Sequence, residues 1–291
     1  MLTLEHLGAL LEQHREAAAA RVREFALGSR HFAFNGQPSL MGVVNLSPDS
    51  WYRESVVLTT EAAVRRGCVL AAQGAAIIDV GAESTLAQAA RSDGKAQLKN
   101  LLPVIHGLTE QKIIVSVETY QPEVARACLE AGALLINLTG TAEREEIFRM
   151  AAAHGAAVIL CHVQGANVRE VGDFDFGADL KDDFARATEC AVRCGVEKLI
   201  IDPGLGFYYR NLTDSAARVR HQMNVFLNTF RLRTLGWPVC HALPHAFEYF
   251  GEEVRCAEPF FAVLAALGKT DLFRTHEVAR TRAVLETLQV Y

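Results

Sequence analysis

The hydrophobic positions of the chain fall into short apolar runs separated by longer amphipathic stretches. From residue 40 onward, eight runs of three to five residues are rich in Val, Ile and Leu, which is typical of strands buried on both faces. The predicted strands are Leu40 to Val44, Ala76 to Val80, Ile113 to Val117, Leu134 to Asn137, Ala157 to Cys161, Leu199 to Asp202, Val239 to Leu243 and Leu272 to Arg274.

Helical patterns lie between these runs, and Gly or Gly-Ala repeatedly ends a helix and opens the next strand. Regular alternation of this kind predicts an α/β protein with parallel strands covered by helices. Eight such units over about 250 residues favour a closed (β/α)8 TIM barrel over a doubly wound sheet. The predicted helices include Thr60 to Gln73, Pro122 to Ala131, Arg144 to His154, Asp179 to Cys194, Asp214 to Leu235, Pro259 to Leu267 and Glu277 to Leu288.

The first thirty residues form a different pattern. Leu4, Leu7, Leu10 and Leu11 recur at helical spacing, which predicts an extra N-terminal amphipathic helix. This helix either packs over one end of the domain or supports a dimer, and the sequence leaves both open. We therefore divide the chain into a helical extension, 1–30, and a barrel, 31–291.

Composition excludes several classes of protein. Hydrophobic residues make up 50% of the chain and charged residues 22%, as in a soluble globular protein. A net charge of −5 gives no basic footprint for nucleic acid, and no run approaches the roughly 20 apolar residues of a membrane span. The seven cysteines contain no CxxC pair and the N-terminus has no signal-peptide core, which indicates reduced thiols in a cytoplasmic protein.

Polar residues stand at or near the ends of nearly all the predicted strands. In a barrel the active site lies at these carboxyl ends, so the side chains would converge on one mouth. A single polar residue at a strand end is more often a cap or a loop hydrogen bond. The residues are Asn45, Asp79, Glu83, Glu118, Asn137, His162, Gln164, Asp202, His241, Arg274 and His276.

The stretch "KLIIDPGLGFYY", 198–209, ends an apolar run in Asp202. An ionised carboxylate beside a buried strand loses hydration, and it is tolerated only with a hydrogen-bond partner. That partner is either backbone or a ligand.

Six motifs occur in an order that resembles the dihydropteroate synthase family of pterin-binding (β/α)8 barrels, from about residue 31 to the C-terminus. They are "LMGVVNLSPDSW" at 40–51, "GAAIIDVGAEST" at 74–85, "VSVETYQPEVARACLEAGALLIN" at 115–137, "CHVQG" at 161–165, "IIDPGLGF" at 200–207 and "RTHEV" at 274–278. The resemblance implies that a 6-hydroxymethyl-dihydropterin diphosphate loses pyrophosphate while the amine of p-aminobenzoate takes its place. It also implies a homodimer.

The resemblance assigns pterin contacts to carboxylates and amides that pair with the N–H groups of the aminopyrimidine. Asp202 matches the deep acid, and we expect it to have no protein partner and to pair with the pterin; the alternative is an Asp that caps the next turn. Asn137 matches, although Leu138 replaces the Asp that usually follows. Glu118 stands where the family has Asp. Gln164 of "CHVQG" is a further candidate pterin contact.

The resemblance also assigns the diphosphate site. Asn45 matches the residue that binds metal or phosphate, with Mg²⁺ as its expected ion, and Arg274 and His276 match the anion-binding pair. In the loop after "EST", Leu86 and Ala87 replace the family's Arg and Pro. Arg53 either substitutes for this lost cation or is a solvated loop charge.

Two segments that would hold the second substrate differ from the family. The segment "VCHALPHAFEYFG", 239–251, contains no Lys or Arg, and His245, Ala246 and Phe247 occupy the place of a family Lys and Ser. It is either a repacked loop or a new ligand contact in which His245 touches the pterin. Thr85 and Phe247 are the candidate contacts to the amine substrate.

Three functions are consistent with this pattern. The first is a dihydropteroate synthase with atypical loops. The second is another pterin-dependent transferase on the same barrel, and the third is a non-catalytic pterin binder. All three depend on Asp202, Glu118 and Asn137 facing a slot that fits a flat heterocycle.

Overall fold

A parallel barrel of eight strands surrounded by helices forms the body of the protein. The computed structural model describes residues 1–47, 56–57, 59–83, 93–168, 170–175, 179–207, 209 and 211–291. The barrel strands are β3 (Ser39–Asn45), β4 (Ile77–Gly81), β5 (Val115–Thr119), β6 (Leu135–Leu138), β7 (Ala157–Cys161), β8 (Leu199–Asp202), β9 (Cys240–Ala242) and β10 (Leu272–Thr275); they follow the hairpin β1 (Phe25–Leu27) and β2 (Arg30–Phe32).

Helices cover the barrel and fill its connections. They are α1 (Leu4–Gln13), α2 (Arg15–Ala18), α3 (Thr60–Ala72), α4 (Gly94–Glu110), α5 (Pro122–Glu130), α6 (Arg144–Ala153), α7 (Leu180–Arg193), α8 (Ser215–Leu227), α9 (Thr229–Leu232), α10 (Phe247–Phe250), α11 (Ala257–Leu267) and α12 (Val278–Leu288). The single helix predicted over 214–235 is instead α8, α9 and a 3-10 turn, Arg233–Leu235, because the chain leaves helical geometry at Asn228.

The sheet order confirms the predicted (β/α)8 fold. Seven parallel pairings run β8-β7-β6-β5-β4-β3-β10-β9, and a parallel bridge between Ile201 and Val239 joins the two outer strands. All eight predicted strands are present, with ends that differ by no more than two residues. The carboxyl ends of the strands therefore meet at one mouth.

The period-two geometry of the strands decides which side chains can reach that mouth. On β6, Leu135 and Asn137 face the barrel interior, whereas Ile136 and Leu138 belong to the core under the helices. Leu138 is buried among those outer side chains.

The floor of the barrel is closed by a hairpin that the apolar pattern did not predict. β1 and β2 pair antiparallel around Gly28, whose φ of +55° suits the tight turn. Phe32 and Phe34 stack with ring centroids 5.6 Å apart and pack with Met41 and Ile77 of the barrel interior. The boundary that we drew between residues 30 and 31 falls inside β2, so the helical part of the extension is Leu4–Ala18.

The N-terminal helix α1 is amphipathic, as its leucine spacing predicts. Leu7 and Leu10 pack against the main core, while Leu4 and Leu11 are exposed. Thr3 caps the helix by accepting a hydrogen bond from the His6 N–H. None of the described helices combines the length and the apolar character that crossing a bilayer requires.

Candidate active site at the barrel mouth

A fully buried carboxylate, Asp79 of β4, organises the interior just below the mouth. Its Oδ1 accepts a hydrogen bond from Ser116 Oγ at 2.6 Å. Its Oδ2 accepts from Asn137 Nδ2 at 3.0 Å and from Arg274 Nε at 2.7 Å. Each of these residues faces inward on its own strand. Ser116 pairs in register with Asp79, whereas Asn137 lies one inward position nearer the mouth, level with Glu118. The acid in the middle of "IIDVG" therefore holds β4, β5, β6 and β10 together.

Arg274 bridges Asp79 to a second carboxylate, Glu118, at the upper level. Its Nη2 donates to Glu118 Oε2 at 2.5 Å. The side chains of Arg274 and Glu118 are 16% and 13% exposed, so water screens this pair poorly. Burial raises the pKa of Glu118 to about 7, although Arg274 acts in the opposite direction. The two acids together raise the pKa of Arg274, which stays charged.

Asp202 lies at the end of β8 and has a protein partner, so the expectation that it would have none is wrong. Its Oδ1 accepts a hydrogen bond from the Gly204 N–H at 2.8 Å, because the chain turns back on itself at Gly204, where φ is +75°. The carboxylate is 3% exposed, and burial raises its pKa to about 6 against the lowering effect of the Gly204 N–H. The Cys240 thiol also donates a hydrogen bond to it, and Arg274 and Asp79 lie near enough to act on its pKa in opposite directions. An ionised carboxylate has about four acceptor positions, so Asp202 keeps capacity for further donors.

Two thiols flank Asp202. Cys161 of β7 pairs in register with Asp202, and its Sγ donates to Asn137 Oδ1 at 3.3 Å. Burial raises the pKa of both Cys161 and Cys240, and the nearby Asp202 raises them further. Both thiols are therefore protonated weak donors in this acidic surrounding rather than nucleophilic thiolates.

A second cluster of polar side chains, outside the Asp79 network, joins the loop after β9 to the end of β10. Glu258 at the start of α11 is fully buried, and its Oε1 lies 2.7 Å from His276 Nδ1 and 3.1 Å from His245 Nε2. Its Oε2 accepts from the backbone N–H groups of His276 at 2.9 Å and Glu277 at 3.1 Å, and from Thr275 Oγ1. Burial alone would raise the pKa of Glu258, but His276 and His245 hold it well below its usual range.

Asn45 ends β3 beside Gly81, where the absence of a side chain leaves room. A Cβ at Gly81 would lie 3.9 Å from Glu118 Oε2 and 4.0 Å from Asn45 Oδ1. Two oxygens thus border the same small space, and of these Glu118 Oε2 already accepts a hydrogen bond from Arg274. Oxygen is the ligand type that Mg²⁺ takes from proteins, usually through one or two protein groups with phosphate and water completing the shell. The residues present fit such an ion when a diphosphate is bound.

Comparison with known proteins agrees with this geometry. A profile of the family described as pterin binding enzyme matches residues 41–243. Dihydropteroate synthase of Streptococcus pyogenes is 30% identical over 269 residues, covering 88% of this chain and 97% of that protein. The chain belongs to the dihydropteroate synthase family.

Two further relatives extend the comparison. The Mycobacterium leprae dihydropteroate synthase is 35% identical over 175 residues, a match that spans 62% of that protein and 58% of this chain. The structure of Xanthomonas albilineans dihydropteroate synthase with 4-aminobenzoic acid superposes with a TM-score of 0.75 at 30% identity, covering 92% of this chain and 97% of that one.

Some predicted site residues of this family member are not part of the two polar networks, although Phe247 borders one of them. Gln164 holds the loop after β7, since its Oε1 accepts from the Asp175 N–H at 2.6 Å. Phe247 begins α10, with its ring 5.4 Å from that of His245. His241 faces outward, because its Nε2 lies 2.7 Å from Thr229 Oγ1 under the helices. Thr85 lies outside the described residues, as do Arg53, Leu86 and Ala87.

Several residues that build the mouth were not among the predicted site residues. Asp79 appeared only as a strand-end acid, yet an acid in the middle of a buried run is itself a signal of a polar network. Glu258 precedes the apolar run "PFFAVLAAL", where an acid normally reads as a favourable helix start. Ser116, Cys161 and Cys240 occupy inward-facing strand positions, and nothing else in the sequence marked them as site residues.

Proposed function

We propose that this protein binds a pterin at the barrel mouth and acts as a dihydropteroate-synthase-like transferase in folate biosynthesis. In this proposal a dihydropterin diphosphate condenses with p-aminobenzoate or a related amine. The observation that carries the proposal is Asp202, a nearly buried carboxylate at the mouth with acceptor positions beyond those used by the Gly204 N–H and Cys240. The 2-amino and ring N–H groups of a pterin supply donors of the required kind.

The other proposed pterin contacts are supported to different degrees by their hydrogen bonds. Asn137 is fixed by Asp79 and Cys161 and would act from a set orientation. Glu118 uses one oxygen for Arg274 and can direct the other toward the ligand. We retain Gln164 and His245 as proposed contacts on the rim. Thr85 and Phe247 remain the proposed contacts of the amine substrate.

The proposed catalytic residues act on the departing diphosphate. Arg274 donates Nε to Asp79 and Nη2 to Glu118, and a guanidinium has five N–H groups, so three stay available for phosphate oxygens. His276 lies two residues further along the chain and Asn45 on the adjacent strand. As the amine nitrogen bonds to the methylene carbon, the carbon–oxygen bond breaks and these donors stabilise the charge that develops on pyrophosphate. A Mg²⁺ ion at Asn45 would neutralise part of that charge when bound.

A substitution at Asp202 tests the pterin proposal. By isothermal titration calorimetry, we expect the wild type to bind 6-hydroxymethyl-dihydropterin diphosphate and Asp202→Asn to bind it about 10- to 150-fold more weakly. This range corresponds to the roughly 1.5–3 kcal/mol of a hydrogen bond to a charged group. Asp214→Asn is the matched control, because Asp214 caps α8 on the surface and Asn caps helices equally well. Equal affinity of Asp202→Asn and wild type would reject the proposal.

A second function, a pterin binder without synthase activity, has its own support. The segment 239–251 contains no Lys or Arg, and two carboxylates, the buried Asp79 and the partly buried Glu118, already offset the charge of Arg274. Release of pyrophosphate in the presence of p-aminobenzoate separates the two. Binding without release favours the binder, and release that follows the amine concentration favours the synthase.

The setting of the activity is also part of the proposal. We infer that the protein works as a cytoplasmic homodimer, supported by the family resemblance and by seven cysteines that form no disulfide. Light scattering during size-exclusion chromatography at several concentrations measures the subunit number, and a monomer throughout would remove the dimer from the proposal.

A further inference from the structure

We propose that His245, Glu258 and His276 form a binding site for a divalent transition metal such as Zn²⁺. The three ligand atoms, two imidazole nitrogens and one carboxylate oxygen, all lie within 4.8 Å of one another. They come from three elements, the loop after β9, the start of α11 and the end of β10. The site therefore does not follow from any one sequence motif.

The two oxygens of Glu258 have separate roles. Oε2 receives three hydrogen bonds, from the backbone of His276 and Glu277 and from the Thr275 hydroxyl, and this fixes the carboxylate to the end of β10. Oε1 is directed at the two imidazoles, 2.7 Å from His276 Nδ1 and 3.1 Å from His245 Nε2. One oxygen is thus structural and the other is placed to bind a metal.

These distances are close to those around a bound metal. Zn²⁺ binds imidazole nitrogen and carboxylate oxygen at about 2.0–2.2 Å, so neighbouring ligand atoms of a four-coordinate ion lie about 3.3 Å apart. The two distances to Glu258 Oε1, 2.7 and 3.1 Å, are slightly shorter than this, and the two imidazole nitrogens lie within 4.8 Å of each other, so small shifts of the three side chains would admit the ion. Two histidines and one carboxylate are a set that zinc and iron enzymes use, with the remaining positions open. The side chains of His245 and His276 are 14% and 12% exposed, and His245 Nε2 itself is buried.

A metal here would also supply charge that the loop lacks. With neutral histidines, Glu258 contributes −1, so a divalent ion makes the cluster +1. His276 follows Arg274 by two residues, which places this charge beside the proposed diphosphate site. Use of the metal to hold diphosphate rests on the proposed function, whereas metal binding itself does not.

Measuring the zinc content per chain tests the site directly. Untagged protein is stripped with EDTA, dialysed against Zn²⁺ in the absence of pterin, and its zinc is measured by mass spectrometry. We expect about one tightly bound Zn²⁺ per chain in the wild type. His245→Gln and His276→Gln should each weaken its binding at least tenfold, and the double variant should retain only non-specific zinc. Glu258 is left intact because it supports the strand end.

His31→Gln is the matched control, since His31 also lies beside a carboxylate, 3.7 Å from Glu24 Oε2, but on the surface. It should bind zinc like the wild type. Zinc in the wild type no higher than in the double variant would overturn the proposal and leave a purely hydrogen-bonded cluster. Calorimetry with pterin on the EDTA-treated protein tests the proposed pterin binding separately. Zinc binding can therefore be rejected while pterin binding holds, and the reverse.

Discussion

Replacing Glu118 with Gln should make the protein more stable at high pH and change little at low pH. In the folded protein burial raises the pKa of Glu118 to about 7, against an ordinary value of 4.5. The folded state therefore binds the proton more tightly than the unfolded chain does. Stability from this group is fully present below about pH 4.5 and is lost as pH rises through about 7.

The size of the effect follows from the shift. The pKa of Glu118 in the folded protein lies about 2.5 units above its ordinary value, and each unit is worth about 1.36 kcal/mol of stability. About two of these units affect the free energy of unfolding between pH 5 and pH 8. The free energy of unfolding of the wild type should thus fall by about 2–3 kcal/mol relative to that of Glu118→Gln over this range. Gln resembles the neutral acid and still leaves Arg274 paired with Asp79.

Urea unfolding followed by circular dichroism at pH 5, 6, 7 and 8 measures this difference. Taking the difference between the two proteins cancels the contributions of the buried histidines, which titrate in both. Glu146→Gln is the control, because Glu146 pairs with Arg126 on the surface and should leave the pH profile unchanged. A difference that stays constant within about 0.5 kcal/mol from pH 5 to pH 8 would refute the reasoning.

Three further substitutions test the packing around the mouth and the floor. Arg274→Met leaves Asp79 buried without its cation and should lower the free energy of unfolding by about 3–5 kcal/mol, measured by urea unfolding. Gly204→Ala should reduce both thermal stability and pterin affinity. A Cβ at this residue, whose φ is +75°, would overlap the His162 carbonyl and displace the Gly204 N–H that donates to Asp202. Unchanged pterin affinity would contradict this prediction. Phe32→Ala should cost about 3–5 kcal/mol by opening the barrel floor, and a loss below about 1 kcal/mol would show that the hairpin is dispensable.

The barrel could be predicted from the sequence because its signals are local and repeated. Each strand such as Leu199–Asp202 is a run of apolar residues, and each glycine-capped helix end marks the next run. The hairpin escaped prediction since its strands have three residues each, and Arg30 and His31 interrupt the apolar pattern. Its burial comes from tertiary contact with the barrel floor, which no short window of sequence contains.

The sequence predicted where the mouth lies but not which of its side chains bond to one another. The strand-end positions predicted that Glu118, Asn137, Asp202 and Arg274 converge on one mouth, and the strand register brings them to inward-facing positions near it. That Arg274 is held by two carboxylates depends on contacts between residues 156 and 195 positions apart along the chain. The partner of the two histidines, Glu258, lies in a third element, so their grouping could be seen only in three dimensions.

The protonation of Glu118 links the two chemical demands of the proposed reaction. Pterin N–H groups are bound best by ionised carboxylates, whereas a diphosphate is bound best when the charge of Arg274 is not offset. With a pKa of about 7, Glu118 can be neutral or ionised near physiological pH, and it changes the net charge around Arg274 accordingly. When Glu118 is ionised, Arg274 and its two carboxylates sum to −1, and a leaving diphosphate then needs positive charge from elsewhere. The segment 239–251 provides no Lys or Arg for this, so the proposed metal ions, at Asn45 and at the His245–Glu258–His276 cluster, would supply that charge.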